Sequence, residues 1–215
     1  MFFIVWGSAA SPRLNPKEPV NRYERKRPGE LIHIDVKKLG RIGDAGPGHR
    51  VTGDRSVRSK GAGWEYVHVC VDDYTRLAYV EVLADERGPT AVGFLMRALE
   101  FYASYGVQVE RVMTDNGSAY RSTIHSLACK VLGLKHIRTR PYTPKTNGKA
   151  ERFIRTLTGG WAYGAIYSSS TQREQALNGW LIFYNFERPH RSLGRKPPGS
   201  RLDRRKGNNV LGTYT

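Results

Sequence analysis

A chain of 215 residues with 39% hydrophobic and 11% aromatic residues is long enough to form a packed domain and too apolar to remain disordered. Its formal net charge of +16 says little about fold but points to a polyanionic partner, nucleic acid or an acidic surface. No apolar run approaches the ~18 residues of a membrane span, the apolar start Met1–Trp6 lacks the basic region of a signal peptide, and two cysteines with six scattered histidines show no zinc-finger spacing.

Residues 1–28 read as an irregular lead-in, closed by Pro28-Gly29. Leu31–Val36 is apolar on both faces and predicts a central strand. Residues 40–63, rich in Gly, Arg and Asp, predict a long loop of the kind that often carries function. Two strands, Tyr66–Val71 and Leu77–Leu83, form a hairpin across the turn Asp72–Arg76. Pro89 suits the first turn of a helix whose buried face is Ala91, Phe94, Leu95, Ala98 and Tyr102. Val109–Met113 predicts a strand. Ser122 caps the next helix, with a buried stripe of Ile124, Leu127, Ala128 and Val131 and an end at Gly133. Leu134–Ile137 is a short strand. Asn147 is the N-cap of a helix that buries Ala150, Phe153, Ile154, Leu157 and Trp161, although Gly159-Gly160 interrupt it. A last helix opens on the capping box Thr171–Glu174 and runs to about Tyr184, before Pro189.

Three strands joined by hairpin connections, followed by alternating helices and strands, imply an α/β domain. The expected architecture is a mixed five-stranded sheet with helices on both faces, in the order of a ribonuclease H-like domain. The domain proper is read as 29–187, and 188–215 as a basic C-terminal tail. Cys70 and Cys129, each in an apolar stretch, read as buried free thiols.

Three acidic residues carry the chemistry. Asp35 lies inside a nearly continuous apolar strand, where a buried carboxylate needs a cation, an open strand end or a metal. Asp115 ends a strand within Thr114-Asp115-Asn116-Gly117, which is equally good turn chemistry. Glu151 falls in the first turn of a helix, where the helix dipole alone favours acids, at the border of the buried face. Together they supply the convergent carboxylates that two-metal phosphodiester chemistry needs. Thirty-five residues separate Asp115 from Glu151. Asp72 and Asp73 read as hairpin-turn carboxylates and His33 as a satisfied core histidine.

The segments His33–Lys38, Val71–Arg76, Thr114–Gly117, Pro141–Phe153 and Tyr184–His190 resemble the integrase-core transposases of bacterial insertion sequences, relatives of retroviral integrases with an Asp-Asp-35-Glu signature. The resemblance covers residues from about 22 to 202, and Thr146-Asn147-Gly148-Lys149-Ala150-Glu151-Arg152-Phe153 is its most specific part. It implies that Asp35, Asp115 and Glu151 are catalytic and hold two Mg2+ (or Mn2+) ions. The implied activity is DNA strand cleavage and strand transfer, on transposon ends and target DNA, by a homodimer or higher oligomer in the bacterial cytoplasm at the nucleoid. The alternatives are a shortened, inactive DNA-binding copy that regulates the full-length enzyme, and a ribonuclease H-like nuclease. Lys135–Arg155 holds seven Lys or Arg against one Glu, and Arg188–Lys206 eight against one Asp. From these, Tyr142, Lys145, Asn147, Lys149, Arg152 and Arg155 are the expected DNA contacts, with the amides and hydroxyls of Thr146 and Asn147 also suited to capping.

Overall fold

The computed structural model describes residues 24–42, 63–139 and 147–202. Five strands and five α-helices build it: β1 (Ile32–Gly40), β2 (Trp64–Asp72), β3 (Ala78–Leu83), α1 (Gly88–Ser104), β4 (Arg111–Thr114), α2 (Ser118–Arg121), α3 (Thr123–Val131), β5 (Lys135–Arg138), α4 (Gly148–Leu157) and α5 (Ser170–Phe186). A π turn, Thr158–Ala162, extends α4, and two short 3-10 turns follow α5. The sheet order is β3-β2-β1-β4-β5. The hairpin-linked strands pair antiparallel, and β4 pairs parallel with both β1 and β5.

Strand alternation sends the two faces of β1 to different cores. Ile32 and Ile34 join Cys70, Leu77, Val112 and the α1 stripe on one side. Val67, Val69, Val71 and Val80 join Phe153, Leu157, Trp161, Leu177 and Tyr184 from α4, the π turn and α5 on the other. His33 and Asp35 share the α4 side of β1. All five expected residues of α1 are buried, and the Tyr102 hydroxyl, at the bottom of that stripe, donates to the Leu77 carbonyl at 2.9 Å. Asn185 of α5 holds the edge strand as a third strand would: Ala78 N donates to its Oδ1 at 2.9 Å and its Nδ2 donates to Ala78 O at 2.8 Å.

Several boundaries and faces differ from those expected. The first strand runs on to Gly40, because β2 pairs with it over its whole length. The rest of the expected 40–63 loop lies outside the described residues, apart from Arg41, Ile42 and Gly63. An additional short helix, α2, fills the span between Asp115 and Ser122. Ser122 does cap α3, accepting from His125 N at 3.3 Å. The predicted α3 stripe is wrong, however: Ile124, Leu127 and Val131 are exposed, and His125 and Cys129 are the buried pair. The core face is rotated by about one residue, and it includes His125, a side chain that a hydrophobic periodicity does not weigh. The cap of α5 is Ser169, whose hydroxyl accepts from Gln172 N at 3.1 Å, while Gln172 Oε1 accepts from Ser168 N at 2.6 Å. The cap therefore stands two residues before the expected Thr171, and the helix starts at Ser170, because Gln172 and not Glu174 closes the box.

The glycine interruption after α4 is a packing device. A Cβ on Gly160 would lie 2.9 Å from Trp180 Nε1, whereas one on Gly159 would meet nothing within 4 Å. Gly160 thus lets α5 approach the π turn through Trp180. Residues 188–202, the start of the expected tail, fold back on the domain: Leu193 and Leu202 are buried, and Arg201 donates to the Tyr74 carbonyl at 2.8 Å. The two thiols are free and buried, as expected.

Candidate active site

The parallel pairing of β1 and β4 spans Ile32↔Val112 and His33↔Met113. Two residues beyond that last pair, Asp35 stands on β1 and Asp115 just past the end of β4, where the pairing of the two strands stops. β4 ends there while β1 runs on to Gly40, and the carboxyl end of a parallel strand beside its neighbour is where ligands gather in open sheets. Glu151 enters from α4, which packs on β1 and β2. Asp35 is half-buried, and Asp115 and Glu151 are exposed. Both aspartates are oriented by local backbone bonds to Oδ1, from Val36 N to Asp35 and from Gly117 N to Asp115, each at 2.8 Å.

Burial, reinforced by the charges of Asp115 and Glu151, pushes the Asp35 pKa up to about 6. All three carboxylates therefore share one electrostatic neighbourhood that disfavours anions and favours a cation. Three hard oxygen donors suit Mg2+ or Mn2+ rather than a soft metal, and the raised Asp35 pKa is the mark of a donor set short of positive charge.

A second layer of polar residues joins the elements that carry these carboxylates. His33, two residues before Asp35 and 2% exposed, donates from Nε2 to Asp73 Oδ1 at 2.8 Å and pairs through Nδ1 with the Asn147 side chain at 3.1 Å. Lys149 makes an ion pair with Asp73, and Arg25 N donates to Asp73 Oδ2 at 2.7 Å. Burial alone would raise the Asp73 pKa, but the bonds from His33, Lys149 and Arg25 outweigh it and hold the carboxyl well below the usual range. This network pins the first turn of α4 to β1 and to the β2–β3 turn, and so sets where Glu151 stands relative to Asp35. Asp72 does the neighbouring turn's work, accepting from Gly29 N at 2.9 Å and Thr75 N at 2.7 Å.

Of the expected DNA contacts, Arg152 and Arg155 are exposed on α4. Lys149 is tied to Asp73. Asn147 is buried; it occupies the N-cap position without a capping side-chain bond, because its amide is directed inward to His33 and Ile34 O. Tyr142, Lys145 and Thr146 lie outside the described residues. His33, Asp72 and Asp73 were legible as motif members, but their contacts, over 40 and 114 residues of sequence for His33, were not. A groove of about 870 Å3 between β3 and α5, lined by Tyr79, Phe101 and Phe186 among others, lies at the β3 edge of the sheet, two strands away from β1. No helix among the described residues is long and apolar enough to cross a membrane.

A 3-2-1-4-5 sheet, covered on both faces and acidic at the end of its central parallel pair, is a ribonuclease H-like domain. Solved structures agree. The catalytic core of bovine immunodeficiency virus integrase superposes with a TM-score of 0.55 at 20% identity, over 81% of this chain and 93% of that one. The HTLV-2 integrase catalytic core, in complex with magnesium, superposes with a TM-score of 0.53 at 16% identity, over 82% and 97%. The family described as "Integrase core domain" matches residues 25–144, and a second family of the same description matches 132–198. The chain belongs to the integrase core family. Its relatives include the putative integrase ORF3 of Spiroplasma virus SpV1-C74, 28% identical over 85% of this chain and 49% of that protein. Another is the putative transposase InsD for insertion element IS2E of Escherichia coli, 30% identical over 46% of this chain and 45% of that protein. The chain spans about half the length of these relatives.

Proposed function

We propose that this chain is the catalytic core of an insertion-sequence transposase, which cleaves DNA at the ends of its element and joins the freed 3′-hydroxyl to target DNA. What supports the reading is the convergence of Asp35, Asp115 and Glu151 where the pairing of β1 and β4 stops. In this reading the three carboxylates hold two Mg2+ or Mn2+ ions, which when bound supply activation of the attacking oxygen and stabilisation of the leaving one. Asp35, the most buried of the three, would hold the ions together with Asp115 and Glu151. The His33–Asp73–Lys149–Asn147 network fixes the approach of Glu151. Arg152 and Arg155, with Lys145 and Tyr142, hold the DNA backbone against the site without reading sequence. Pairing two element ends requires at least two copies of the enzyme.

The test compares the parent with Asp115→Asn. Asparagine suits the same turn, so the variant should fold and bind DNA, while cleavage and strand transfer in Mg2+ fall to background. Joining at the parental rate by Asp115→Asn would overturn the catalytic assignment. A parent that cuts but never joins is a ribonuclease H-like nuclease, and a parent that binds without cutting is a regulatory copy.

A further inference from the structure

His125 and Cys129 stand one turn apart on α3, and β5 brings His136 against them. One ligand atom from each lies within 4.8 Å of the other two. His125 and Cys129 are 0% and 2% exposed, and His136 is half-buried. We propose that His125, Cys129 and His136 form a binding site for a soft transition metal, zinc in the first place, separate from the carboxylate site and next to Thr114 at the end of β4.

Four observations carry this. The donor set is the first: two imidazoles and one thiolate suit Zn2+, and not the Mg2+ or Mn2+ that carboxylates hold. The second is spacing. Sulfur and nitrogen bound to one tetrahedral zinc at ~2.3 and ~2.1 Å lie ~3.6 Å apart, and Cys129 Sγ lies 3.7 Å from His125 Nδ1. Bringing in the third donor from within 4.8 Å asks for about 1 Å of side-chain movement. The third is that packing leaves His125 poorly satisfied. Its Nε2 is buried with no hydrogen-bond partner, and its Nδ1 faces only the weakly polar thiol. Ring contacts with Tyr120 at 5.3 Å and His136 at 4.8 Å explain its burial but not its need for a partner.

The fourth observation fixes a tautomer. Thr114 has a single hydroxyl proton and donates it to Asp115 O at 3.0 Å. His136 Nε2, 2.9 Å from the same hydroxyl, must therefore be the donor in that pair. Its proton sits on Nε2, and Nδ1 keeps the lone pair a metal needs. An imidazole that binds metal through one nitrogen and donates from the other is the usual outer-shell arrangement. A metal held on Nδ1 would thus be linked through His136 and Thr114 to the backbone of Asp115. Binding converts the Cys129 S–H into a sulfur–metal bond and releases its proton to solvent. Three protein ligands leave the fourth position to water.

The experiment uses the full chain, stripped of metal by a chelator and titrated with Co2+ alone. A site of this kind gives a near-ultraviolet sulfur-to-cobalt charge-transfer band and intense visible bands of four-coordinate cobalt at one equivalent, all displaced by Zn2+. Cys129→Ser should abolish the charge-transfer band and weaken Zn2+ binding by more than about 100-fold, the upper range for losing only an outer-shell partner. Cys70→Ala should keep the band. So should a chain with Asp35→Asn, Asp115→Asn and Glu151→Gln, which separates this site from the carboxylates and leaves the result independent of catalysis. Circular dichroism of each variant checks that it folds; a variant that does not fold is replaced by His136→Asn, for which loss of the band is again the supporting result. A folded parent without the band, or a band that survives Cys129→Ser, overturns the proposal.

Discussion

Replacing Asp35 by asparagine removes a charge that the fold holds at an electrostatic disadvantage. The Asp35 carboxyl moves from an ordinary 3.8 to about 6, first through burial and then through Asp115 and Glu151. In the metal-free protein the native state keeps this proton over a pH range where the unfolded chain has lost it. The proton count is then higher in the native state, so stability falls as pH rises from about 4 to about 6 and stays reduced above that. The gap corresponds to about 3 kcal/mol at about 1.4 kcal/mol per pH unit, an upper bound because Asp35 is half-exposed to screening solvent. A gain of about 1–2 kcal/mol for Asp35→Asn at pH 7 remains after that discount, or about 2–8 °C in Tm for a chain of this size. The assay is thermal unfolding of parent and variant in a chelator from pH 4 to pH 7.5. The two should melt together near pH 4 and separate steadily up to pH 6, with the variant the more stable. Saturating Mg2+ should narrow the difference, since only the parent has the full anionic site. A difference that does not change with pH, or a variant that melts lower at pH 7, would refute the electrostatic account of the site.

Asp73→Asn leaves Lys149 and His33 without their buried carboxylate, and urea unfolding should show a loss of about 3 kcal/mol, within the range for breaking a buried pair; a loss under about 1 kcal/mol would mean that the network does not hold α4. Gly160→Ala drives a methyl group into Trp180 and should cost about 1–3 kcal/mol. Gly159→Ala, next door with open space around it, should be neutral or stabilising by up to about 1 kcal/mol, and the two variants melting alike would contradict the assigned packing. DNA affinity should fall by about 10³-fold between 50 and 200 mM salt if some six phosphates are contacted, which a filter-binding series at fixed DNA sequence will measure; a flat series would remove the electrostatic argument from the +16 charge.

Periodicity along one segment is local information, and it located what depends on a single apolar face. The α1 stripe is recovered at all five positions, and four of the five expected residues after Asn147 are fully buried, with Ile154 partly so. The order of strands and helices, and with it the ribonuclease H-like sheet, follows from the same signal. The quoted motifs, through the family they resemble, were enough to nominate the three carboxylates. What the sequence could not specify is which polar groups meet. The inward face of α3 is His125 and Cys129 because His136 and Tyr120 wait opposite, and no pattern within α3 reports on a partner supplied by β5. The Asn147 amide leaves its capping role because His33 comes within reach only after α4 docks on β1. Ion pairs, shifted pKa values and ligand clusters arise from distances between residues far apart in the chain. Only the packed fold sets those distances, and so only the fold decides whether Asp35 is a strained anion and whether His125, Cys129 and His136 form a site.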